Sequence, residues 1–265
     1  MDMFQALLLA FIQGLTEFLP ISSSAHLVIP SLLLDWPDQG LAFDVAVHVG
    51  TLLAVLIYYR QDLIDMARAW FASLAGRGSS DDSRLVWYLL AATVPAGLVG
   101  LFAGDFIEAH FRHVLVIGTT TLVFGIFLGI ADKNAGNNSA KPLTFSLAML
   151  IGLAQAFAPI PGVSRSGVTM TAGLLLGLSR SAAARFSFLL SIPIIAAAGL
   201  LKGVGLVEQA QPVDTGMMAL GVAVSALTAY ACIALFIRLI ERVGMMPFVW
   251  YRVVLGVMLL VLAAC

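Results

Sequence analysis

The chain of 265 residues is rich in apolar side chains and poor in charge: 60% of its residues are hydrophobic, 11% are charged, and the mean hydropathy is +0.99. A soluble domain usually has about a quarter of its residues charged, so this composition excludes a water-soluble globule and predicts a protein in the bilayer. The net charge of −1 and the lack of a basic patch argue against a nucleic-acid partner.

In chain order, six apolar stretches are long enough to cross a membrane, which takes about 20 residues. They cover residues 42–59, 84–103, 114–131, 183–201, 215–237 and 247–264. The longest connection, residues 60–83, is predicted to be a polar loop, and it contains GRGSSDDS, a flexible, linker-like run.

Two further apolar regions are interrupted and predict re-entrant helical hairpins. Residues 3–34 are broken by TEFLPISSSAH, and residues 143–178 are broken by PIPGVSRSG. Each arm is too short to cross the bilayer alone, and non-helical backbone at that depth must be surrounded by protein or by a wet cavity. The breaks are therefore expected inside the protein.

Each hairpin precedes three spans, so the second half of the chain is expected to be inverted relative to the first. The predicted fold is an all-α polytopic membrane protein with one domain, residues 1–265. It consists of two inverted-topology repeats, residues 1–132 and 141–265. Broken helices at matching positions of such repeats indicate a binding site between them.

Basic residues predict the orientation, because they are enriched on the cytoplasmic side. If loop 60–83 is cytoplasmic, eleven Lys and Arg lie on or near that side, and two, Arg112 and Lys202, lie on the other. The eleven are Arg60, Arg68, Arg77, Arg84, Lys133, Lys141, Arg180, Arg185, Arg238, Arg242 and Arg252. The open end of the first hairpin is then expected on the outer side.

The first hairpin contains two ionisable residues, Glu17 and His26. An ionisable group inside the bilayer costs roughly 2.5–3.5 kcal/mol on insertion scales and is a functional candidate by default. Gln13 lies four residues before Glu17, on the same helix face. Three serines at the expected start of the next helix could cap it, and a helix N-terminus with hydroxyls is an anion site. These serines are Ser22, Ser23 and Ser24.

The second hairpin contains Arg165 in a turn rich in glycine and hydroxyl groups. Arginine is a bidentate ligand for phosphate or carboxylate. Glycines permit unusual dihedral angles and close backbone approach. The neighbouring residues expected to bind substrate are Gly162, Ser164, Ser166, Gly167 and Thr169.

Together these groups favour phosphate chemistry. Arg165, the hydroxyls and two helix N-termini can hold an anion, and Glu17 can hold a divalent cation or act as a base. His26 can protonate a leaving oxygen or take a proton from a serine. The alternative is structural: the serines only cap a helix, and Glu17 only neutralises Arg165.

Two neighbouring segments leave a similar choice. Asp44 and His48 lie four residues apart at the outer end of the first span, where they either line the mouth of the site or form a solvated helix end, which we favour. Ser187 and Ser191 follow the second hairpin. Their polar face either packs on the site or serves ordinary helix packing, which is the more common use of small residues.

Two segments resemble the signatures of a known family. Gln13-x-x-x-Glu17 followed by FLPISSSAH is similar to the first signature of the undecaprenyl-diphosphate phosphatases, the bacitracin-resistance family. PGVSRSGVT, residues 161–169, resembles the second signature, and the later segments FSFLL and MPF, the latter with Tyr251 and Arg252, also fit. The resemblance covers essentially the whole chain, although Gln13 stands where many members have glutamate.

The resemblance implies a bacterial inner-membrane enzyme with its site open to the periplasm. It would remove the terminal phosphate of undecaprenyl diphosphate with the help of a divalent cation, Mg or Ca, and would form a homodimer. The positions matching the family's catalytic residues are Glu17, Ser23, His26, Ser164 and Arg165.

The expected mechanism follows from this resemblance. Glu17, helped by Gln13, places the metal on the substrate, and Ser23 attacks the terminal phosphorus with His26 as base. The rival mechanism is attack by metal-bound water, with Ser23 only a ligand. A second class of function is a lipid-phosphate transporter or flippase, because inverted repeats with broken helices are common among transporters.

Overall fold

The structure is a computed structural model and describes residues 1–33, 36, 39–135, 141–209 and 214–264. These residues form eleven α-helices, with no strand among them. The helices are α1 (Met3–Thr16), α2 (Ser23–Leu33), α3 (Gly40–Tyr58), α4 (Arg60–Leu74), α5 (Asp81–Phe111), α6 (Val114–Ala135), α7 (Phe145–Gln155), α8 (Arg165–Leu175), α9 (Arg180–Gln209), α10 (Thr215–Val243) and α11 (Met246–Ala264).

Six of the described helices, α3, α5, α6, α9, α10 and α11, are long and apolar enough to cross a membrane. They coincide with the six predicted spans, which are confirmed, and they indicate a multi-pass membrane protein. Several continue beyond the apolar stretch, because caps satisfy the helix ends in polar surroundings. In α5, for example, the Ser80 side chain accepts a hydrogen bond from the backbone N–H of Ser83.

The prediction of a polar loop over residues 60–83 is wrong for its first part, which is helix α4. Apolar residues recur there at helical spacing, and Met66 on that face is buried. Asp62 at the start of α4 pairs with Arg185 of α9 at 2.5 Å. The buried apolar face and the ion pair with α9 therefore stabilise a helix, although the overall polarity of this segment had predicted a loop.

Each predicted hairpin region contains two short helices around a non-helical break. We call α1 and α2 the first helix pair, with break one at residues 17–22, and α7 and α8 the second helix pair, with break two at residues 156–164. The two pairs have the same spacing along the chain. The helices α1 and α7 begin 142 residues apart, at positions 3 and 145, and α2 and α8 also begin 142 residues apart, at 23 and 165. Leu34 and Cys265, at the ends of the predicted first hairpin and second repeat, lie outside the described residues.

The helix pairs pack against spans from the opposite half of the chain. A Cβ atom at Gly14 of α1 would lie 2.6 Å from the carbonyl oxygen of Ser225 in α10. A Cβ atom at Gly152 of α7 would lie 2.4 Å from the carbonyl oxygen of Ala92 in α5. These close approaches require glycine. Hydrogen bonds from Arg165 to Glu17 and from Ser166 to Leu19 bring the two breaks together.

Candidate active site

Break one begins at the C-terminus of α1, where Glu17 is the residue that follows the last helical residue, Thr16. The Glu17 side chain is only 7% exposed. Its Oε2 accepts hydrogen bonds from Gln13 Nε2 at 3.0 Å and from Ser23 Oγ at 2.8 Å. Three of the predicted site residues therefore form one cluster.

Break two ends just before Arg165, the first residue of α8. Arg165 Nη2 donates to Glu17 Oε1 at 3.0 Å, and Nη1 donates to the backbone oxygen of Ser187 at 3.0 Å. The guanidinium also lies 5.7 Å from the centre of the Phe18 ring. A buried ion pair persists only when further hydrogen bonds offset the loss of hydration, and this pair has them. It joins the two breaks, 148 residues apart in the chain.

The other hydroxyls of the second helix pair support this geometry from within the protein. Ser166 Oγ donates to the carbonyl of Leu19 at 2.8 Å, which ties the start of α8 to break one a second time. The hydroxyls of Thr169 and Ser187 lie 2.7 Å apart. Ser164 Oγ accepts from the backbone N–H of Gly167 at 3.1 Å and caps α8. The polar face of α9 at Ser187 therefore packs on the site, contrary to the interpretation favoured from sequence.

The first helical residues of α2 and α8 follow two serines with unusual backbone angles. Ser22 has φ of 76° and Ser164 has φ of 70°, in the left-handed region that favours glycine. Ser22 Oγ lies 3.1 Å from Ser24 Oγ, and Ser164 Oγ lies 3.3 Å from Ser166 Oγ. Non-glycine residues held in such conformations cluster at functional sites, so the matching serines mark both breaks as candidates.

Gly162 in break two allows the backbone to lie directly against α6. Gly162 has φ of 89°, and a Cβ atom there would lie 2.2 Å from Thr120 Oγ1 in α6. Thr120 Oγ1 instead donates to the carbonyl of Pro161 at 2.6 Å. The break is thereby held against α6 at a distance that no side chain would permit.

His26 lies on α2, and its two ring nitrogens have separate partners. Nδ1 lies 2.6 Å from the carbonyl oxygen of Ser22, so Nδ1 carries the proton that it donates there. Nε2 then accepts from the hydroxyl of Tyr251 at 2.5 Å, and the two rings are stacked. The hydroxyl of Ser23 is bonded to Glu17 instead, so the group in place to take its proton in this structure is the carboxylate.

His48 is a site residue for which sequence reasoning favoured the wrong interpretation. Its Nε2 lies 3.8 Å from Glu17 Oε2, and its Nδ1 lies 2.7 Å from the backbone oxygen of Asp44. It is therefore directed at the carboxylate and does not form an ordinary solvated helix end. The spacing of Asp44 and His48 was the available signal.

Arg252 is a second residue that the sequence reading misplaced. It was counted with the basic residues of the cytoplasmic side, but it is fully buried and donates to backbone oxygens of both breaks. The count that predicts the orientation is therefore ten to two. The available signal was its position, six residues into an apolar span.

A divalent cation is compatible with the residues of break one. The Oε1 atom of Gln13 is buried and has no hydrogen-bond partner in the protein, next to the carboxylate of Glu17. Magnesium and calcium take oxygen ligands and often share them with substrate phosphates. The described residues contain no group of three or more His, Cys, Asp or Glu suited to a metal. The donor set thus fits an ion held jointly by Glu17, Gln13 and phosphate oxygens.

Comparison with known proteins agrees with the two signatures. Residues 6–258 match the family model described as bacitracin resistance protein BacA. The chain belongs to this family. The family resemblance found in the sequence is thereby confirmed, and all the candidate site residues lie within the matched range.

Several relatives of this BacA-family chain are named undecaprenyl-diphosphatase. The protein of that name from Alcanivorax borkumensis is 60% identical over 261 residues, which is 98% of each chain. The one from Colwellia psychrerythraea is 57% identical over 269 residues, again 98% of each chain. The one from Teredinibacter turnerae is 56% identical over 262 residues, or 98% of this chain and 99% of the relative.

Proposed function

We propose that this protein is an integral membrane phosphatase that hydrolyses undecaprenyl diphosphate to undecaprenyl phosphate and inorganic phosphate. The family membership and the names of the relatives support this activity. The observation that carries it is the hydrogen-bonded cluster of Glu17, Ser23 and Arg165, built where two chain breaks meet. Recycling of the lipid carrier for cell-wall synthesis and resistance to bacitracin would follow from the activity.

Substrate binding would use Arg165 and the helix N-termini that follow the two breaks. Arg165 pairs with the diphosphate, and the N-termini of α2 and α8, which begin at Ser23 and Arg165, direct backbone N–H groups towards it. Ser22 and Ser24 lie at the start of α2 and add hydroxyl groups. The isoprenyl tail lies in a groove between apolar spans.

The chemical step begins with the oxygen of Ser23 attacking the terminal phosphorus. Its proton passes to Glu17 Oε2, to which it is already hydrogen bonded. The anhydride P–O bond breaks, and the electron pair leaves with undecaprenyl phosphate. The unprotonated Nε2 of His26 is the candidate base for the water that follows. Water then attacks the phosphoserine, Glu17 returns its proton to Ser23, and phosphate and one proton are released.

A magnesium or calcium ion would be held by Glu17 and Gln13 together with phosphate oxygens. Such an ion neutralises charge on the transferring phosphoryl group. The buried and unpartnered Gln13 Oε1 supports its placement at break one.

The two-repeat architecture, with each helix pair re-entering the membrane, belongs to the same proposal. The constant offset of 142 residues between the helix pairs supports it, as do the matching left-handed serines and the packing of each pair against the opposite half. The basic residues favour an inner-membrane protein with its site open to the periplasm. A homodimer is part of the proposal on the family resemblance alone.

The test is phosphate release from undecaprenyl diphosphate by the purified protein in detergent, with a divalent cation and with EDTA. Glu17→Gln, Ser23→Ala and Arg165→Lys are each expected to lose activity on the order of 100-fold or more. Ser31→Ala is the matched control: Ser31 lies on the same helix as Ser23, but its hydroxyl donates to its own helix at Val28.

Absence of release from folded wild-type protein, over several detergents and cations, would contradict the phosphatase. Acid quenching with substrate labelled in the terminal phosphate separates the two mechanisms, because only attack by Ser23 leaves label on the protein. A Ser23→Ala protein that loses release but still moves lipid across vesicles would show that translocation is a second activity of the same protein.

A further inference from the structure

Arg252 on α11 is an arginine without exposed surface and, among the residues that the structure describes, without an acidic partner. Its exposed fraction is 0%, and none of the ion pairs found in the described part of the chain includes it. A buried charge is normally paired with an opposite charge or used in function. The partners of Arg252 are backbone carbonyl groups instead.

These carbonyls come from both breaks and from α6. Nη1 donates to Pro20 at 3.2 Å, in break one. Nη2 donates to Gly162 at 2.9 Å and to Val163 at 3.1 Å, in break two. Nε donates to Thr121 at 3.1 Å. One side chain thus satisfies carbonyls of two non-helical segments, where the backbone cannot satisfy them itself.

The surrounding helices leave room for this side chain. A Cβ atom at Gly125 of α6 would lie 2.8 Å from Cβ of Arg252, and one at Gly167 of α8 would lie 3.0 Å from its Nη1. Glycine at both positions therefore permits the arginine to reach the junction of the breaks. The site of Arg252 is built by three helices.

The carbonyls that Arg252 binds lie a few residues before Ser23 and Arg165 in the chain. Pro20 lies three residues before Ser23, and Val163 lies two residues before Arg165. Moving either break relative to the other would move the nucleophile relative to the group that holds the phosphate. The planar guanidinium, with five donors in fixed directions, is suited to fixing this distance, whereas the ammonium of lysine acts as a single point.

We propose that Arg252 is a positioning residue for phosphoryl transfer, which sets the spacing between break one and break two by bonding to the carbonyls of both. This inference rests on the proposed function of the same site. It assigns to α11 a part in the reaction, although Arg252 does not touch the reacting atoms.

The test compares Arg252→Lys with a matched arginine elsewhere. Arg180 of α9 also joins separate segments: its Nε donates to Asp132 Oδ1 at 2.6 Å and its Nη2 to the Asp132 carbonyl at 3.3 Å, and Asp132 lies in α6, in neither break. Phosphate release is measured as kcat and KM per folded protein, with the folded fraction from size-exclusion chromatography and the Tm measured in the same detergent.

Arg252→Lys is expected to lower kcat on the order of 30- to 100-fold while KM changes less than about threefold, because small misplacements at a reacting centre reach such factors. Arg180→Lys is expected to lower Tm and to leave kcat per folded protein within about twofold. If Arg252→Lys retains a wild-type kcat, or if both variants lose kcat in proportion to Tm, the positioning role is wrong.

A second variant keeps the test valid if Arg252→Lys does not fold. Gly125→Ala places a methyl group against the stem of Arg252 and removes no hydrogen-bonding group. It is expected to lower kcat about tenfold with KM unchanged, and a wild-type kcat would count against the proposal. Failure of the proposed function is recognised separately, because the wild-type protein would then release no phosphate in this assay.

Discussion

At the scale of single residues, the carboxylate of Glu17 is held by donors on three sides. Gln13 and Ser23 bond to one oxygen, and Arg165 bonds to the other. Hydrogen bonds to a charged group are shorter and stronger than neutral ones, so the carboxylate has a fixed orientation before substrate arrives. Preorganisation of this kind is how enzymes avoid rearrangement during the reaction.

The bond between Tyr251 and His26 allows a prediction about one hydroxyl. Tyr251→Phe removes the donor to His26 Nε2 and leaves the stacked rings in place. Because a hydrogen bond contributes about 0.5–1.5 kcal/mol net, kcat/KM is expected to fall about two- to tenfold. Steady-state phosphate release by the purified variant measures this.

Tyr230→Phe is the control for this substitution. Tyr230 is partly exposed and contacts the ring of Tyr58, far along the chain from either break. Removing the Tyr230 hydroxyl is expected to leave kcat/KM unchanged. Equal rates for Tyr251→Phe and the wild type would show that the orientation of His26 does not matter for the reaction.

The sequence predicted the centre of the candidate site but not its periphery. Glu17 and Arg165 were recognisable because ionisable residues are rare inside apolar segments, and the structure places them 3.0 Å apart. Their roles, and those of Ser23 and His26, remain predictions. Arg252 has the same signal but was missed, because it was counted as a span-end residue. Tyr251 could not be predicted, since its contact with His26 depends on the packing of α11.

At the scale of helices, the close contact between α7 and α5 gives a prediction for stability. Gly152→Ala would place Cβ 2.4 Å from the Ala92 carbonyl oxygen, which belongs to the backbone and cannot rotate away. Overpacking of this kind costs typically about 1–3 kcal/mol. Thermal unfolding in detergent is therefore expected at a lower Tm, with lower activity because α7 leads into break two.

Gly97→Ala on α5 is the matched control. No atom lies within 4 Å of its Cβ position, and alanine favours a helix more than glycine does by roughly 0.5–1 kcal/mol. Its Tm is expected to equal or exceed that of the wild type. A Gly152→Ala protein as stable as the control would mean that α7 and α5 are farther apart than described.

Apolar length alone was sufficient to predict the six long helices. It was insufficient for α4, whose charged residues lowered its average hydropathy although Met66 and its neighbours follow a helical period. Local sequence also predicted that α2 and α8 begin near Ser23 and Arg165. Which spans these helices pack against could not be predicted, because glycine contacts such as that of Gly152 with Ala92 are visible only in three dimensions.

At the scale of the whole molecule, the distribution of basic residues predicts which loops face the cytoplasm. Ser79 precedes α5, His113 follows α5, and both are exposed. In a variant without Cys232 and Cys265, a cysteine at position 113 is expected to react with a membrane-impermeant maleimide on intact spheroplasts. A cysteine at position 79 is expected to react only after permeabilisation. The reverse pattern would overturn the proposed orientation and place the site on the cytoplasmic side.

The two serines with left-handed backbone have a consequence for heat tolerance. Glycine would adopt the φ angles of Ser22 and Ser164 freely, whereas a residue with a side chain is less stable there by roughly 1–2 kcal/mol. Replacing both serines by glycine is therefore expected to raise the Tm and to remove two hydroxyls next to the proposed phosphate site. A screen for thermostable variants that selects only for folded protein after heating would therefore enrich glycine at these two positions. The selected proteins would be more stable but are expected to be less active.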